Sequence, residues 1–333
     1  MATFRPTGLL FMIKDTATAQ AILNKITRAE DILLITHQHP DGDGLGALSA
    51  LALFLQSQGK NYSLFCRDAI SENDSFLPLL HQVTSEQKIF KQKFDPIIIL
   101  DSGSLGYAGV EEPIQNMKTN YTLINIDHHS SNTNFGQLNL VQDTASSASE
   151  MVYDLLRLWQ APISKDMATA LLNGIIFDTG AFSNAGTTLG CLTAASHLLN
   201  LGARHKEINE KKFRDKSLNL LKLWGRAFER LVYNPRYGLA YTIITLKDFR
   251  DLNLAPDSGN GLSNFFNELT GAKIIMVLAE QDDQTIKGSL RTTYDGIDVA
   301  KLAQAWGGGG HKKAAGFSVK GKLVYNKNKW SIK

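Results

Sequence analysis

Cysteine is almost missing from this chain: Cys66 and Cys191 are the only two in 333 residues. Two thiols that far apart exclude a disulfide scaffold and a thiolate metal site, and both are expected in the core. Long apolar runs are missing as well. No stretch approaches the ~18 uninterrupted apolar residues of a membrane span. An excess of one charge is also lacking: Lys and Arg number 35 against 32 Asp and Glu, a formal net charge of +3, too weak a bias for a generic nucleic-acid binder. The start, MATFRPTGLLFMIKD, has an apolar stretch shorter than a signal-peptide core that ends in Lys14 and Asp15. A cytoplasmic location is therefore expected, with Met12 as an alternative start. The basic tail KGKLVYNKNKWSIK reads either as a solvated terminal strand or as a phosphate-tracking patch.

What is present suits a globular enzyme. Hydrophobic residues make up 43% and charged ones 20%, and the length is enough for two cores. The first half alternates short apolar runs with helical patterns, which predicts a parallel sheet with flanking helices. DILLIT (31–36), PIIIL (96–100) and YTLINI (121–126) read as strands, and GALSALALFLQSQG (46–59) as a helix. SASEMVYDLLRLW places Val152, Leu155, Leu156 and Trp159 at helical spacing, and DMATALLNGIIFDTG reads as a helix that stops at Asp178. The pattern stays helical and charged to about Leu231. Strand-like runs then return (GLAYTIIT, AKIIMVLAEQ, TIKGSLRTT), and Val299, Leu302, Ala303 and Trp306 form a last helical face before GGGGH. The expected organisation is an α/β chain: a parallel-sheet domain over 1–200, a helical linker over 201–231 and a smaller α/β domain over 232–333.

Acids and histidines fall at the strand ends. His37, Asp41 and Asp43 follow DILLIT, Asp101 follows PIIIL, and Asp127, His128 and His129 follow YTLINI. In open parallel sheets ligands sit beyond the carboxyl ends of the strands, so these groups can converge there. Taken singly, the aspartates of PDGDG and ILDSGS also fit turn and cap chemistry. Together, mixed carboxylate and imidazole donors without thiolate suit Mn²⁺, Fe²⁺, Co²⁺ or Zn²⁺, and five or six donors exceed what one ion needs. Two ions roughly 4 Å apart would activate a water and stabilise an in-line phosphoryl displacement, with Asp101 as the natural bridging carboxylate.

HQHPDGDGLGA, ILDSG, NIDHHSSN, GIIFDTGAF and, downstream, GSLRTTYDGIDV and GGGGHKKAAGF resemble the DHH phosphoesterase superfamily with its DHH-associated C-terminal domain, over nearly the whole chain. The compact length looks most like the bacterial oligoribonuclease (nanoRNase) and 3′-phosphoadenosine-5′-phosphate (PAP) phosphatase branch, since RecJ-type exonucleases carry extra domains. The resemblance implies two Mn²⁺ ions, one held by His37, Asp41 and Asp101 and the other by Asp43, Asp101, His128 and Asp178. It implies that Asp127 orients an imidazole and that His129 faces the scissile phosphate. Arg291, Gly307, Gly308, Gly309, Gly310 and His311 would bind substrate across a cleft between the domains, with Lys312, Lys313, Ser183 and Asn184 as weaker candidates. His39 departs from the family pattern and should point elsewhere. Gly44 also departs, standing where alanine is frequent.

The implied activity is hydrolysis of short RNA oligonucleotides to mononucleotides, with PAP, a nucleotide bisphosphate, as a further substrate. A homodimer is the assembly allowed for, and no membrane partner is expected. The alternatives are a linear or cyclic dinucleotide phosphodiesterase, an exopolyphosphatase or pyrophosphatase, and, from a different class, a silent nucleotide-sensing or RNA-binding module. The silent module would be expected to have lost a ligand, and none is missing here.

Overall fold

The computed structural model describes residues 13–213, 217–259, 261–266, 269–281, 284–326 and 329–333. The chain divides into two compact units, 1–215 and 216–333.

In the first unit, α1 (Thr16–Arg28) leads into β1 (Asp31–Thr36), α2 (Gly42–Ser57), β2 (Asn61–Phe65), β3 (Val83–Thr84) and β4 (Ile97–Leu100). Short helices α3 (Leu105–Ala108) and α4 (Glu111–Gln115) precede β5 (Leu123–Asp127) and β6 (Leu138–Val141). Helices α5 (Ala148–Leu158), α6 (Lys165–Asp178), α7 (Leu189–Asn200) and α8 (His205–Phe213) complete the unit. All strand pairs are parallel and the sheet order is β3-β2-β1-β4-β5-β6. The order reverses between β1 and β4, the position at which doubly wound sheets open a ligand crevice.

Strand residues alternate between two cores. Ile32, Leu34, Ile98 and Leu100 pack with α2, α5 and α6, whereas Leu33, Ile35, Ile97 and Ile99 pack on the opposite face. Burial on both faces explains why these strands read as continuous apolar runs. Helix α2 begins at Gly42, four residues before the expected start, because Asp41 caps it by accepting from the backbone N–H groups of Asp43 and Gly44. The polar turn signal hid the first helical turn. Cys66 and Cys191 are both buried free thiols.

The second unit opens with α9 (Leu218–Glu229), inside the segment expected to be a linker. Its Leu223, Trp224 and Ala227 are buried in this unit's core. Strands β7 (Val232–Asn234) and β8 (Leu239–Ile244) are followed by α10 (Leu246–Asp251), α11 (Leu262–Phe266), β9 (Ile274–Glu280) and β10 (Thr285–Arg291). After α12 (Val299–Gln304) come β11 (Gly309–His311) and β12 (Ala314–Lys320), giving a mixed sheet of order β11-β12-β10-β9-β8-β7. The basic tail folds into a separate hairpin of β13 (Leu323–Asn326) and β14 (Lys329–Ile332). The last helical face differs from the expected one. Val299, Ala300 and Ala303 are buried, while Leu302 and Trp306 are exposed, because α12 ends at Gln304 and Trp306 then lies against Phe317 with ring centroids 4.6 Å apart.

Asp248 ties α9 to α10. It closes a reciprocal capping box with Thr245 and accepts from Arg226 Nη1 at 3.1 Å and Arg230 Nη2 at 2.9 Å. Burial would raise its carboxyl, but hydrogen bonds from Arg230 and Thr245 hold it well below the usual carboxylate range. A depressed native value means that the stabilisation is complete above the unfolded value of ~3.9 and is lost as pH falls through the native one. Asp248→Asn should cost about 3 kcal/mol at neutral pH, and that cost should shrink in acid. Urea unfolding followed by tryptophan fluorescence checks this, and a cost that does not vary with pH would contradict it.

Candidate metal centre

The sheet reversal sets the site. Thr36 of β1 pairs with Leu100 of β4, so His37 and Asp101 leave neighbouring strand ends on either side of the crevice. The His37 Nδ1 donates to Gln38 O at 2.7 Å, which leaves Nε2 facing Asp41 Oδ1 at 3.7 Å and Asp101 Oδ2 at 3.5 Å. Fixing one ring nitrogen on a carbonyl is the usual way to prepare the other as a ligand. Asp101 sits at φ 56°, a left-handed conformation in which Asp is among the few tolerated side chains. Its second oxygen, Oδ1, lies 3.5 Å from His128 Nε2 and 3.7 Å from His129 Nδ1. One carboxylate thus faces three imidazoles, His37 on one oxygen and His128 and His129 on the other.

Asp43 is held from behind. The backbone N–H groups of Ala148 and Ser149, the first residues of α5, donate to its two oxygens at 2.6 and 2.9 Å, and the helix N-terminus favours the anion. His128 Nε2 lies 3.9 Å from Asp43 Oδ2 and 3.1 Å from Asp178 Oδ2 at the end of α6. Donor atoms therefore gather in three overlapping groups: His37, Asp41 and Asp101; Asp43, His128 and Asp178; and Asp101, His128 and His129.

The electrostatics fit cations. Asp101 Oδ1 and His128 Nε2 are buried and make no well-aligned hydrogen bond among the described residues, although Asp178 Oδ2 is 3.1 Å from the imidazole, a state that normally calls for an ion or water. Burial and the charges of Asp101 and Asp178 push the Asp43 carboxyl well up. Burial would lower the His37 imidazole, but Asp101 and Asp41 outweigh it and push it up to about 12. A buried cluster this rich in carboxylates must take up protons or metal ions, and the donor set suits a metal ion that prefers oxygen and imidazole ligands.

Gly44 makes room for this arrangement. A Cβ there would press on Thr36 Oγ1 and come within 3.1 Å of His37 Nε2 and 3.2 Å of Asp101 Oδ2. Glycine at position 44 is thus a packing requirement in this chain. Gly44→Ala should destabilise the first unit by about 1–3 kcal/mol and weaken metal binding measured by titration calorimetry. An unchanged affinity would show that the two ligands do not depend on this spacing.

In the second unit, Arg291 Nε donates to Asn264 Oδ1 and Nη1 to Leu290 O, both at 2.9 Å. Burial lowers this guanidinium, and no carboxylate among the described residues pairs with it. Its three remaining N–H donors suit an anion. Arg291 lines a cavity of about 430 Å³ with Gly309 and Gly310.

The family described as DHH family, N-terminal domain, matches residues 31–175, and the DHHA1 domain matches residues 239–329. The chain carries a DHH domain followed by a DHHA1 domain. The bifunctional oligoribonuclease and PAP phosphatase NrnA of Thermus thermophilus is 28% identical over 296 residues, covering 87% of this chain and 84% of the relative. The protein of that name from Bacillus subtilis is 25% identical over 303 residues, covering 90% and 92%. An exopolyphosphatase-related protein from Bacteroides fragilis matches in structure with a TM-score of 0.84 at 24% identity, over 91% of each chain. RecJ of Thermus thermophilus, solved in complex with Mn²⁺, matches with a TM-score of 0.55 at 15% identity, over 95% of this chain and 53% of RecJ. These two structural likenesses show the fold alone.

The eight acids and histidines singled out in the sequence lie together: seven lie at or just after the strand ends of the DHH domain, and Asp178, at the end of α6 just past the matched residues, joins them. Asp127 is buried and its Oδ1 accepts from His129 Nδ1 at 2.7 Å, so the imidazole it orients is that of His129. Sequence reasoning missed Asn132, whose Nδ2 donates to Asp127 Oδ2 at 2.5 Å and to Asn125 Oδ1 at 2.7 Å. It stands in the quoted NIDHHSSN run, so its chemistry was available to be noticed. His39 points away, as expected, and meets Asp68 Oδ2 at 2.9 Å on the surface. Ser183 and Asn184 are engaged in the turn after α6, Asn184 Nδ2 donating to Asp178 O at 2.7 Å.

In the DHHA1 domain the glycine run is less open than expected. Gly309–His311 pairs with β12 as an edge strand, and a side chain at Gly308 or Gly310 would collide with the backbone of that strand. Gly307, Gly308 and His311 lie outside the lining of the Arg291 cavity. Lys313 pairs with Asp295 at 2.8 Å. Asn264, the support of Arg291, was also missed, because nothing in the local sequence links it to a residue 27 positions away. Among the described residues no helix is long and apolar enough to cross a membrane.

Proposed function

We propose that this chain is a Mn²⁺-dependent phosphoesterase with two ions per site that hydrolyses short oligoribonucleotides to mononucleotides and removes a phosphate from PAP, acting in the cytoplasm. The observation that carries the reading is Asp101, whose two carboxylate oxygens face separate imidazole groups, His37 on one side and His128 with His129 on the other. Relatives named as oligoribonuclease and PAP phosphatase support the substrate class, because the chain covers 84–92% of their length. A cyclic-di-AMP phosphodiesterase of Geobacillus thermodenitrificans is 25% identical but matched over only 46% of its length.

In this reading His37, Asp41 and Asp101 hold one ion, and Asp43, Asp101, His128 and Asp178 the other. Bound ions would supply an acidified water and charge neutralisation for an in-line phosphoryl displacement. The remaining roles belong to side chains. Asp127 fixes the His129 Nδ1 proton, leaving Nε2 to donate to the departing oxygen. Burial works against a charged His129, but Asp127 and Asp101 raise its imidazole above the ordinary value. Arg291, with backbone groups of Gly309 and Gly310, would hold a phosphate of the substrate.

The test is a comparison of kcat/KM with Mn²⁺ across dinucleotides, pentanucleotides, PAP, cyclic dinucleotides and polyphosphate. Preference for the first three supports the reading. Preference for polyphosphate or cyclic dinucleotides overturns the substrate class, and no hydrolysis of any, with binding retained, would indicate a silent sensing module.

A further inference from the structure

The sheet face that carries Arg291 carries a second cation. Along β10, Ile286, Gly288 and Leu290 are buried, whereas Lys287, Ser289 and Arg291 line the cavity of about 430 Å³. Four strand residues place the two backbones ~13 Å apart, and the Arg291 guanidinium is tied to Asn264 and Leu290 O, so the two cations mark opposite ends of the row. Lys287 is exposed, and its ammonium makes no ion pair or hydrogen bond with any described residue.

Among the described residues the charge of this cavity is one-sided. Its described lining includes Lys287 and Arg291 and no carboxylate. The larger cavity of the same unit, about 610 Å³, instead balances four basic side chains with four acidic ones. Beside the two cations the lining on this face is small: Val277 and Ala279 from β9, Ala314 and Gly316 from β12. A polar row with cations at its ends, beside this lining of small residues, fits a ligand that alternates phosphates with ring systems.

We propose that Lys287 is a second phosphate-binding position, a nucleotide unit or more from the phosphate held by Arg291, so that this face selects ligands with at least two separated phosphates. The inference rests on the function proposed above and sharpens it into a preference for chain length. Ser289, between the two in the row, is available to hydrogen-bond the sugar or phosphate that links them.

The test uses the full chain with Mn²⁺ and compares Lys287→Ala with the parent on a dinucleoside monophosphate, which has a single phosphate, and on a pentanucleotide. The expected result is about a fivefold loss of kcat/KM on the pentanucleotide, carried by KM, with a shallower salt dependence, and less than about a twofold change on the dinucleoside monophosphate. Lys287→Arg should restore the parent value. Equal losses on both substrates, or none on the pentanucleotide, overturn the proposal. If the parent hydrolyses neither substrate, the functional reading fails separately. Fluorescence anisotropy with a labelled pentanucleotide then decides Lys287: binding about fivefold weaker in the variant supports it, and equal binding, or no binding by the parent, overturns it.

Discussion

Asp101→Asn is expected to lower kcat/KM on a short oligoribonucleotide by about a thousandfold or more, on the order of 4 kcal/mol of transition-state stabilisation, while the protein stays folded. Asparagine is the informative replacement because the backbone at this position has φ 56°, which Asn tolerates and Ala would meet with strain. Shape and backbone are kept, and one anionic oxygen is exchanged for an amide. With only one carbonyl oxygen left, the side chain could no longer serve as a ligand between the His37 and His128 groups. Calorimetric titration with Mn²⁺ should show a lost or much weakened binding event, and circular dichroism an unchanged fold. Near-parental activity would sink the proposal that Asp101 is a shared ligand.

Asp127→Asn is expected to reduce kcat by about a hundredfold or more, the range of a lost general acid, with little change in KM. Asp127 is buried and receives the His129 Nδ1 proton on one oxygen and the Asn132 amide on the other. An amide in its place must direct N–H at one of these two donors, so His129 loses its tautomer or its orientation. The defect should be much smaller on a nitrophenyl phosphoester, whose leaving group departs without a proton. An equal loss on both substrates would show that Asp127 acts on the fold or the metal ions and not on proton transfer.

Much of the first unit was legible because its physics is local. Ile97–Leu100 and Leu123–Asp127 are buried on both faces, so apart from Asn125 their sequence is apolar until the residue that must face the crevice, and the change from Ile or Leu to Asp marks the strand end. Other features depend on distant partners. The clamp on Asp43 consists of backbone N–H groups 105 and 106 residues away, which no side-chain pattern announces. The start of α2 was misplaced because Asp41 and Gly42 serve as turn and cap chemistry at once. Leu302 and Trp306 fit a helical face in sequence, but a six-residue helix ends before the second of them is reached. The pairing of Gly309–His311 with β12 was hidden for a related reason, since glycine's lack of a side chain serves close backbone packing as readily as an open loop.

The gathering of donors at the sheet reversal bears on how this unit stays together. The residues meet in space but leave the chain at four places: 37–43, 101, 127–129 and 178. Ions bound there would bridge the ends of three strands and a helix, restricting the unfolded chain much as a cross-link does. In a protein whose only two thiols are buried singly, such ions would act as a removable staple. Calorimetry should therefore record a melting transition that rises by several degrees with Mn²⁺ and falls with chelator, and its loss in Asp101→Asn would assign the staple to this carboxylate.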